Sequence, residues 1–442
     1  MNGKRRFKMK QLTRLFIPIC LETLFYMLSG MVDTLMLSAV GDYAVGAVGT
    51  ANSYIGIFII MFSIISSGMV SVMTQNIGAG RPGVAYQARQ LGLLFNAVAG
   101  VLMAVFLFSG AGAILRMVGI ADALYEPALI YLKIVGGGCI LNAVIPIFSS
   151  YLRAFGYTKQ PLYATIVGNI ANFVMNAVFL FVLHKGVAGV AAATVISKIL
   201  NLCIVLYFSH KLISAKNSTE RIANKTVLGQ IVKVGLPSAC ETALYNVAMM
   251  LVIRFLNQMD AEGLNVTARS YTATISNFSY CVGAALAQAN AIMTGWHIGA
   301  GELEECDRGT KRAAFVGVCV AVCMETAIVL GSGFIMPLFT DNPEMTALVR
   351  KLLAIDIVLE IGRVTNLVFG QALKTSGDAV FPAVIAAVFM FVFAVGGTWL
   401  FGISMGLMAV GAYIGLASDE CVRAVGMVWR WKTGKWRTKK LV

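Results

Sequence analysis

The stretch "IPICLETLFYMLSGMVDTLMLS", residues Ile17 to Ser38, is apolar enough to cross a bilayer as a helix, yet it contains two carboxylates, Glu22 and Asp33. The chain around it is similar in character, because 58% of its 442 residues are hydrophobic and only 13% are charged. This composition excludes a soluble domain. The alternating segments of a membrane barrel do not occur either. The sequence therefore predicts an all-α polytopic membrane protein.

Windows of about 20 apolar residues recur along the whole chain and predict twelve transmembrane helices. The windows are 14–38, 46–76, 91–115, 127–151, 161–183, 187–209, 231–256, 268–298, 313–336, 346–372, 379–401 and 405–429. Cytoplasmic loops collect Lys and Arg. The basic start "MNGKRRFKMKQLTR" and tail "RWKTGKWRTKK" therefore predict a multi-pass protein of the cytoplasmic (plasma) membrane with both termini in the cytoplasm. The net charge of +14 is assigned to this topology and to anionic lipid, not to nucleic-acid binding.

Three motifs occur twice in the same order. "IPICLETLFY" at Ile17–Tyr26 returns 219 positions later as "LPSACETALY", while "NIGAG" and "RAFGYTKQP" return 221 positions later as "HIGAG" and "KTSGDAVFP". Each half holds six predicted spans, an even number, so both halves enter the membrane from the same side as parallel repeats. The predicted division is an amino-terminal lobe 1–210, a cytoplasmic linker 211–230 and a carboxyl-terminal lobe 231–442.

Several stretches resemble the multidrug and toxic compound extrusion (MATE) transporters. They include "VDT" in the first span, "QNIGAG", "SSYLRAFGYTKQPL", "NIANFVMNAVF", "VFGQALKTSGD" and "DECVRAV", and the resemblance covers nearly the whole chain. It implies a twelve-helix, two-lobed antiporter, not an enzyme, that expels organic cations or other amphipathic drugs as Na⁺ or H⁺ moves inward. It also implies no cofactor beyond the coupling ion, small-molecule substrates and a bilayer as partners, and a monomeric state.

Asp33 is the leading candidate for the coupling site. A carboxylate at membrane depth costs about 2.5–3.5 kcal/mol on insertion scales, so it is normally retained for a function. Asn172 and Asn176 lie one helical turn apart, with Asn169 nearby. The resemblance places a cation site on Asp33, Asn172, Asn176 and Thr194. These oxygens suit Na⁺, with Asp33 as its charged ligand, or a proton held on Asp33, and both remain open beside a plain packing role.

Lys198 follows Thr194 by one turn, and two roles are open for it. It pairs with Asp33 when the cation leaves, or it snorkels to the inner surface.

The carboxyl-terminal lobe offers a different set of polar residues. Tyr245 stands where the resemblance leads one to expect Glu. Asp356, Glu360 and Arg363 form one helical stripe in which the last two are expected to pair, either as an inert structural pair or with a substrate or coupling role.

Glu22 and Glu241 are repeat mates, four residues after a proline in each half. They either balance a cationic drug in the cleft between the lobes or hydrogen-bond across neighbouring helices.

Two other functions are open on the sequence. A flippase for a lipid-linked or polysaccharide precursor needs a cleft rich in basic residues, whereas only Lys198 and Arg363 were placed within the spans. An intramembrane enzyme needs paired Asp-rich or H-E-x-x-H motifs, and neither occurs.

Overall fold

The computed structural model describes residues 9–118, 120–214, 218, 220–260 and 262–442, and all regular structure in these ranges is helical. The α-helices are α1 (Met9–Ser38), α2 (Asp42–Gly78), α3 (Pro82–Val118), α4 (Asp122–Gly137), α5 (Cys139–Ala154), α6 (Lys159–Ala177), α7 (Gly186–Leu212), α8 (Asn224–Met259), α9 (Leu264–Gly299), α10 (Leu303–Ile335), α11 (Pro343–Ser376), α12 (Val380–Phe389) and α13 (Met408–Lys432). Short π-helical segments extend α6 at Val178–Val182 and α12 at Met390–Val395 and Thr398–Ser404.

Every predicted span lies on these helices, but the predicted continuous helix 127–151 is wrong. It is broken into α4 and α5, which bend by 41°. The break lies at Gly138, the last of three consecutive glycines, and glycine lowers helix stability because it loses the most backbone entropy.

Within the described ranges, eight helices are long and apolar enough to cross a membrane, and the bent pair makes nine. α9, α11 and α13 are not among these helices; α9 is rich in hydroxyl and amide side chains, whereas α11 and α13 carry several charged residues.

The repeated motifs are helix-ending turns. Gly80 of "NIGAG" and Gly301 of "HIGAG" have positive φ angles of 78° and 75°, a region that favours glycine. In both turns the amide after the glycine donates to the carbonyl of the motif's first residue at 2.8 Å, which is the Schellman arrangement. Gly156 and Gly377 end α5 and α11 with the same pattern. Equivalent turns at equivalent places confirm the two parallel six-helix repeats.

The chain divides into two compact units. The first comprises Ile17–Gly235, and the second comprises the described residues up to Phe16 together with Leu236–Val442. The start of α8 thus belongs to the first unit and the start of α1 to the second. Near the predicted linker, α7 runs to Leu212 and α8 begins at Asn224. The lobe boundaries drawn from the sequence stay predictions.

Each unit has its own apolar core. In the first unit the core contains Phe62, Leu107 and Leu132, and in the second it contains Val252, Leu352 and Leu353. Other large apolar side chains point outward, as on α3, where Leu102, Val105 and Phe108 are exposed. Such exposure is ordinary for helices whose solvent is lipid.

Candidate functional site

A cavity of about 660 Å³ opens inside the first unit. Its walls come from α1, α2, α4, α5, α6 and α7, and they combine apolar side chains with many polar ones. The polar lining includes Asp33, Asn142, Arg153, Thr194, Lys198 and Asn201.

Asp33 lies at this cavity in a chain of hydrogen bonds with α6. The side-chain amide of Asn176 donates to Asp33 Oδ1 at 2.8 Å and to Asn172 Oδ1 at 3.1 Å. Asn176 is fully buried and Asn172 nearly so, while Asp33 is partly buried. The one-turn spacing of the two asparagines therefore places both amides beside the carboxylate. The carbonyl oxygen of Asn176 is buried and has no hydrogen-bond partner among the described residues.

Two more predicted residues lie at the same cavity. The Thr194 hydroxyl donates to the carbonyl of Val190 on its own helix at 2.9 Å, which leaves its oxygen lone pairs as acceptors. The side-chain amide of Asn169 donates to the backbone carbonyl of Phe25 at 2.9 Å, so it links α6 to α1 at the cavity that Asp33 also lines. Asp33, Asn172 and Thr194 thus line the same cavity, and Asn176 contacts Asp33 directly.

Lys198 lies close to the Asp33 site, and its two predicted roles stay predictions. Its Nζ donates to Asn142 Oδ1 at 2.8 Å, and it lines the same cavity as Asp33. No ion pair within 4.0 Å joins these two described residues.

The two repeat-related glutamates form equivalent ion pairs. Glu22 Oε1 lies 2.6 Å from Arg153 Nη2, and Glu241 Oε2 lies 2.7 Å from Lys374 Nζ. Each pair is largely buried within its own unit. Arg153 lines the first cavity with Glu22, so a cationic ligand has to compete with a bound guanidinium for this carboxylate.

The second unit holds a buried ionic network on α11 and α13. The predicted pair forms, since Arg363 contacts Glu360 directly, and Arg363 Nε also lies 3.6 Å from Glu420 Oε1. Arg423 bonds both oxygens of Asp419, at 3.0 and 2.7 Å, and lies 2.9 Å from Glu420. All five side chains are buried or nearly so.

A smaller cavity of about 260 Å³ adjoins this network. Tyr245, Arg269, Asp356 and Arg363 line it. The described residues contain no group of three or more His, Cys, Asp or Glu side chains arranged to hold a metal ion.

Several of these residues were not predicted. The expectation that only Lys198 and Arg363 are basic residues within the spans was wrong. The predicted windows also contain Arg14, Lys133, Lys233, Arg254, Arg269, Arg350, Lys351 and Arg423, and of these Arg269 and Arg423 belong to the site of the second unit. Arg269 and Arg423 were missed because a single charge hardly lowers the mean hydropathy of a long apolar segment. The spacing of Asp419 and Arg423, one helical turn, was a usable signal for Arg423. For Arg153 and Lys374 the signal was their equivalent place in the repeated motifs.

The two units differ in chemistry. On a wide cavity the first offers one carboxylate outside any described ion pair, Asp33, with amide and hydroxyl oxygens, a set suited to a monovalent cation or a proton. In the second, most carboxylates already contact guanidinium groups.

The chain is similar to known transporters along nearly its whole length. Uncharacterized transporter YisQ of Bacillus subtilis (strain 168) is 32% identical over 428 residues, which are 96% of this chain and 94% of the relative. Probable multidrug resistance protein NorM of Thermotoga maritima is 20% identical over 446 residues, covering 98% and 94%.

Solved structures share the fold. The crystal structure of MATE in the straight conformation superposes with a TM-score of 0.84 at 22% identity, covering 97% of this chain and 96% of the other. An outward-facing multidrug resistance MATE family transporter gives 0.83 at 21% identity over the same shares.

The family model described as MatE matches residues 18–178 and 237–400, one segment in each repeat. The two matches begin 219 positions apart, the interval of the first repeated motif. Together they cover well over half of the chain, which therefore belongs to the MatE family of multi-pass membrane transporters.

Proposed function

We propose that this transporter is a Na⁺- or H⁺-coupled antiporter that exports organic cations or amphipathic drugs by alternating access. The observation that carries the proposal is the placement of Asp33, a carboxylate inside a membrane helix, at a cavity wall with the amides of Asn172 and Asn176. A charged group kept at this depth in a transporter indicates an ion pathway.

The coupling follows from the contact between Asp33 and Asn176. The ionised carboxylate accepts a charge-assisted hydrogen bond, which is roughly twice as strong as a neutral one. Binding of Na⁺ or a proton weakens that bond, and it thereby changes how firmly α1 is held to α6. A ligand shifts a conformational equilibrium only by its different affinity for the two states. Coupling therefore requires only that the ion and the drug favour different conformational states of the transporter.

The substrate class is inferred from the cavity. Its volume of about 660 Å³ falls within the range of drug-sized sites, about 300–1,000 Å³. Its lining mixes apolar side chains with Asp33 and the paired Glu22. NorM of Thermotoga maritima is described as a probable multidrug resistance protein, which supports the same class here.

A flippase for a lipid-linked or polysaccharide precursor is the second candidate. Lys198 favours it, because its ammonium group faces the cavity and donates to an amide rather than to a carboxylate. A phosphate group of such a precursor would find a cation there.

We further propose that the protein lies in the plasma membrane with both termini in the cytoplasm, and that it works as a monomer. The basic terminal segments support the orientation. One chain carries both repeats, so no second copy is needed to complete the fold.

Efflux of ethidium from proteoliposomes, driven by a Na⁺ gradient or a pH gradient imposed separately, tests the proposal. Asp33→Asn keeps an acceptor for Asn176 but loses the charge, so we expect a folded protein without coupled efflux. Glu360→Gln, a change in the other unit, is the comparison and should weaken efflux less. The site assignment fails if Asp33→Asn transports like the wild type, or if only Glu360→Gln loses coupling. Na⁺ binding to purified protein at several pH values then separates the two coupling ions.

A further inference from the structure

Glu325 of α10 is a buried carboxyl group with no counter-charge of its own. Its side chain is fully buried, and neither of its oxygens accepts a hydrogen bond from any described residue within 3.5 Å. Burying an ionised carboxylate without a partner costs several kcal/mol or more. A chain that places Glu here therefore needs a way to neutralise it.

The groups that face Glu325 come from the two helices packed against α10. α11 contributes Asp356, Glu360 and Arg363, and α9 contributes the hydroxyl of Ser279. Asp356 and Glu360 are themselves buried, and each has one oxygen without a partner. Ionised carboxylates only accept hydrogen bonds, so neither Asp356 nor Glu360 can donate one to Glu325 while all three are charged.

The nearby cations are already engaged. Arg363 contacts Glu360 and approaches Glu420, and Arg423 is held by Asp419 and Glu420. With Arg269, which lines the adjoining cavity, three guanidinium groups face five carboxyl groups, namely Glu325, Asp356, Glu360, Asp419 and Glu420. The network therefore has more acidic than basic groups, and among the described residues no guanidinium lies within 4.0 Å of Glu325 or Asp356. Only one oxygen of Asp356 is buried without a partner, whereas both oxygens of Glu325 are.

We propose that Glu325 is a proton-binding site of the second unit, occupied as the neutral acid at neutral pH. One proton removes the uncompensated charge and also supplies a donor, which the unpartnered oxygens of Asp356 and Glu360 lack. A proton fits better than a metal ion, because no three acidic groups among the described residues are arranged around a common point for a cation. Asp356 lines the cavity of about 260 Å³, which gives the proton a route for exchange with solvent.

The use of this proton in transport rests on the proposed function, but its presence on Glu325 does not. An experiment that observes the carboxyl group itself keeps the two separate, since loss of efflux in Asp33→Asn says nothing about protonation in the second unit.

Infrared spectroscopy of the purified full-length protein provides that experiment, because a protonated buried carboxyl group has a carbonyl stretching band distinct from that of a carboxylate. We expect this band in the wild type at neutral pH, its reversible loss in alkaline buffer and its absence in Glu325→Gln. Gln has the shape of the neutral acid, so the variant should melt like the wild type. Glu262→Gln, in the exposed loop before α9, is the matched control and should keep the band.

If Glu325→Gln does not fold, Glu325→Asp replaces it in the experiment. Because Asp keeps a carboxyl group, this variant should shift the band rather than remove it. The proposal is overturned if the wild type has no such band, if Glu325→Gln retains it, or if alkaline buffer leaves it unchanged. Loss of the band when Na⁺ is added at constant pH would also overturn it, because the site would then bind a metal cation.

Discussion

The crossing of α2 with the start of α8 allows a sharp test of the packing in the first unit. Gly68 and Gly235 meet there with backbone against backbone. A Cβ atom added to Gly68 would lie 2.0 Å from the carbonyl oxygen of Ile231, and one added to Gly235 would lie 1.8 Å from that of Ile64. Ordinary contact begins at 3.4 Å, and neither backbone can rotate away as a side chain can. Small residues at helix crossings serve such close approach in membrane proteins.

We expect Gly68→Ala to push the two helices apart and to destabilise the protein. Overpacking of this kind costs about 1–3 kcal/mol and occasionally more. Ala also raises intrinsic helix stability by about 1 kcal/mol relative to Gly, so the clash must be measured against a variant with the same gain. Gly56→Ala is the matched control, because Gly56 lies on the same helix and a Cβ atom there meets nothing within 4 Å. It has the same gain in helix stability without the clash.

The assay is the fraction of purified protein that stays monodisperse after heating in detergent. Gly68→Ala should lose the monodisperse state at a clearly lower temperature than the wild type. For Gly56→Ala this temperature should equal or exceed that of the wild type. Equal melting of the two variants would refute the close crossing.

Three further predictions concern other contacts. Glu22→Gln should lower the melting temperature more than Glu22→Gln combined with Arg153→Gln, because the single change removes the carboxylate that balances a largely buried guanidinium; a less stable double variant would contradict this. Gln87→Ala should speed proteolysis of the segment before α8, since the Gln87 side chain makes hydrogen bonds of 2.7 and 3.2 Å with that backbone, whereas the exposed Gln90→Ala should leave the rate unchanged. Trp436→Ala should destabilise the protein by about 3–5 kcal/mol, because Trp436 is 1% exposed; unchanged melting would show that the carboxyl-terminal segment does not pack there.

The sequence predicted the helices and their repetition well, for a physical reason. Spans are set by apolar length, which the chain displays locally, and the repeated motifs are the turns that end helices. The break between α4 and α5 was missed because a hydropathy window averages over the glycines at 136–138.

Side-chain partners were harder to predict, because they depend on which helices meet. The Glu360–Arg363 pair lies on one helix and could be read from its spacing. The partners of Lys198 and Glu22 lie on other helices, where spacing carries no information. Glu325 went unnoticed, since a single acid hardly lowers the mean hydropathy of α10. For the Asp33 site, the family resemblance named the residues, and the described geometry brings them together; their role as a coupling site remains a proposal.

The start of α1 belongs to the second unit and the start of α8 to the first, and this arrangement has a consequence for biosynthesis. The first unit contains Gly235, so it lacks one of its packed segments until the ribosome has passed that residue, well after α7 is made. Residues 9–16, by contrast, are synthesised before the first unit but belong to the second. A nick in the loop between α7 and α8 would leave both fragments short of a part held by the other. The inserting chain therefore cannot finish its halves one after the other, and its maturation in the bilayer should be a single late event.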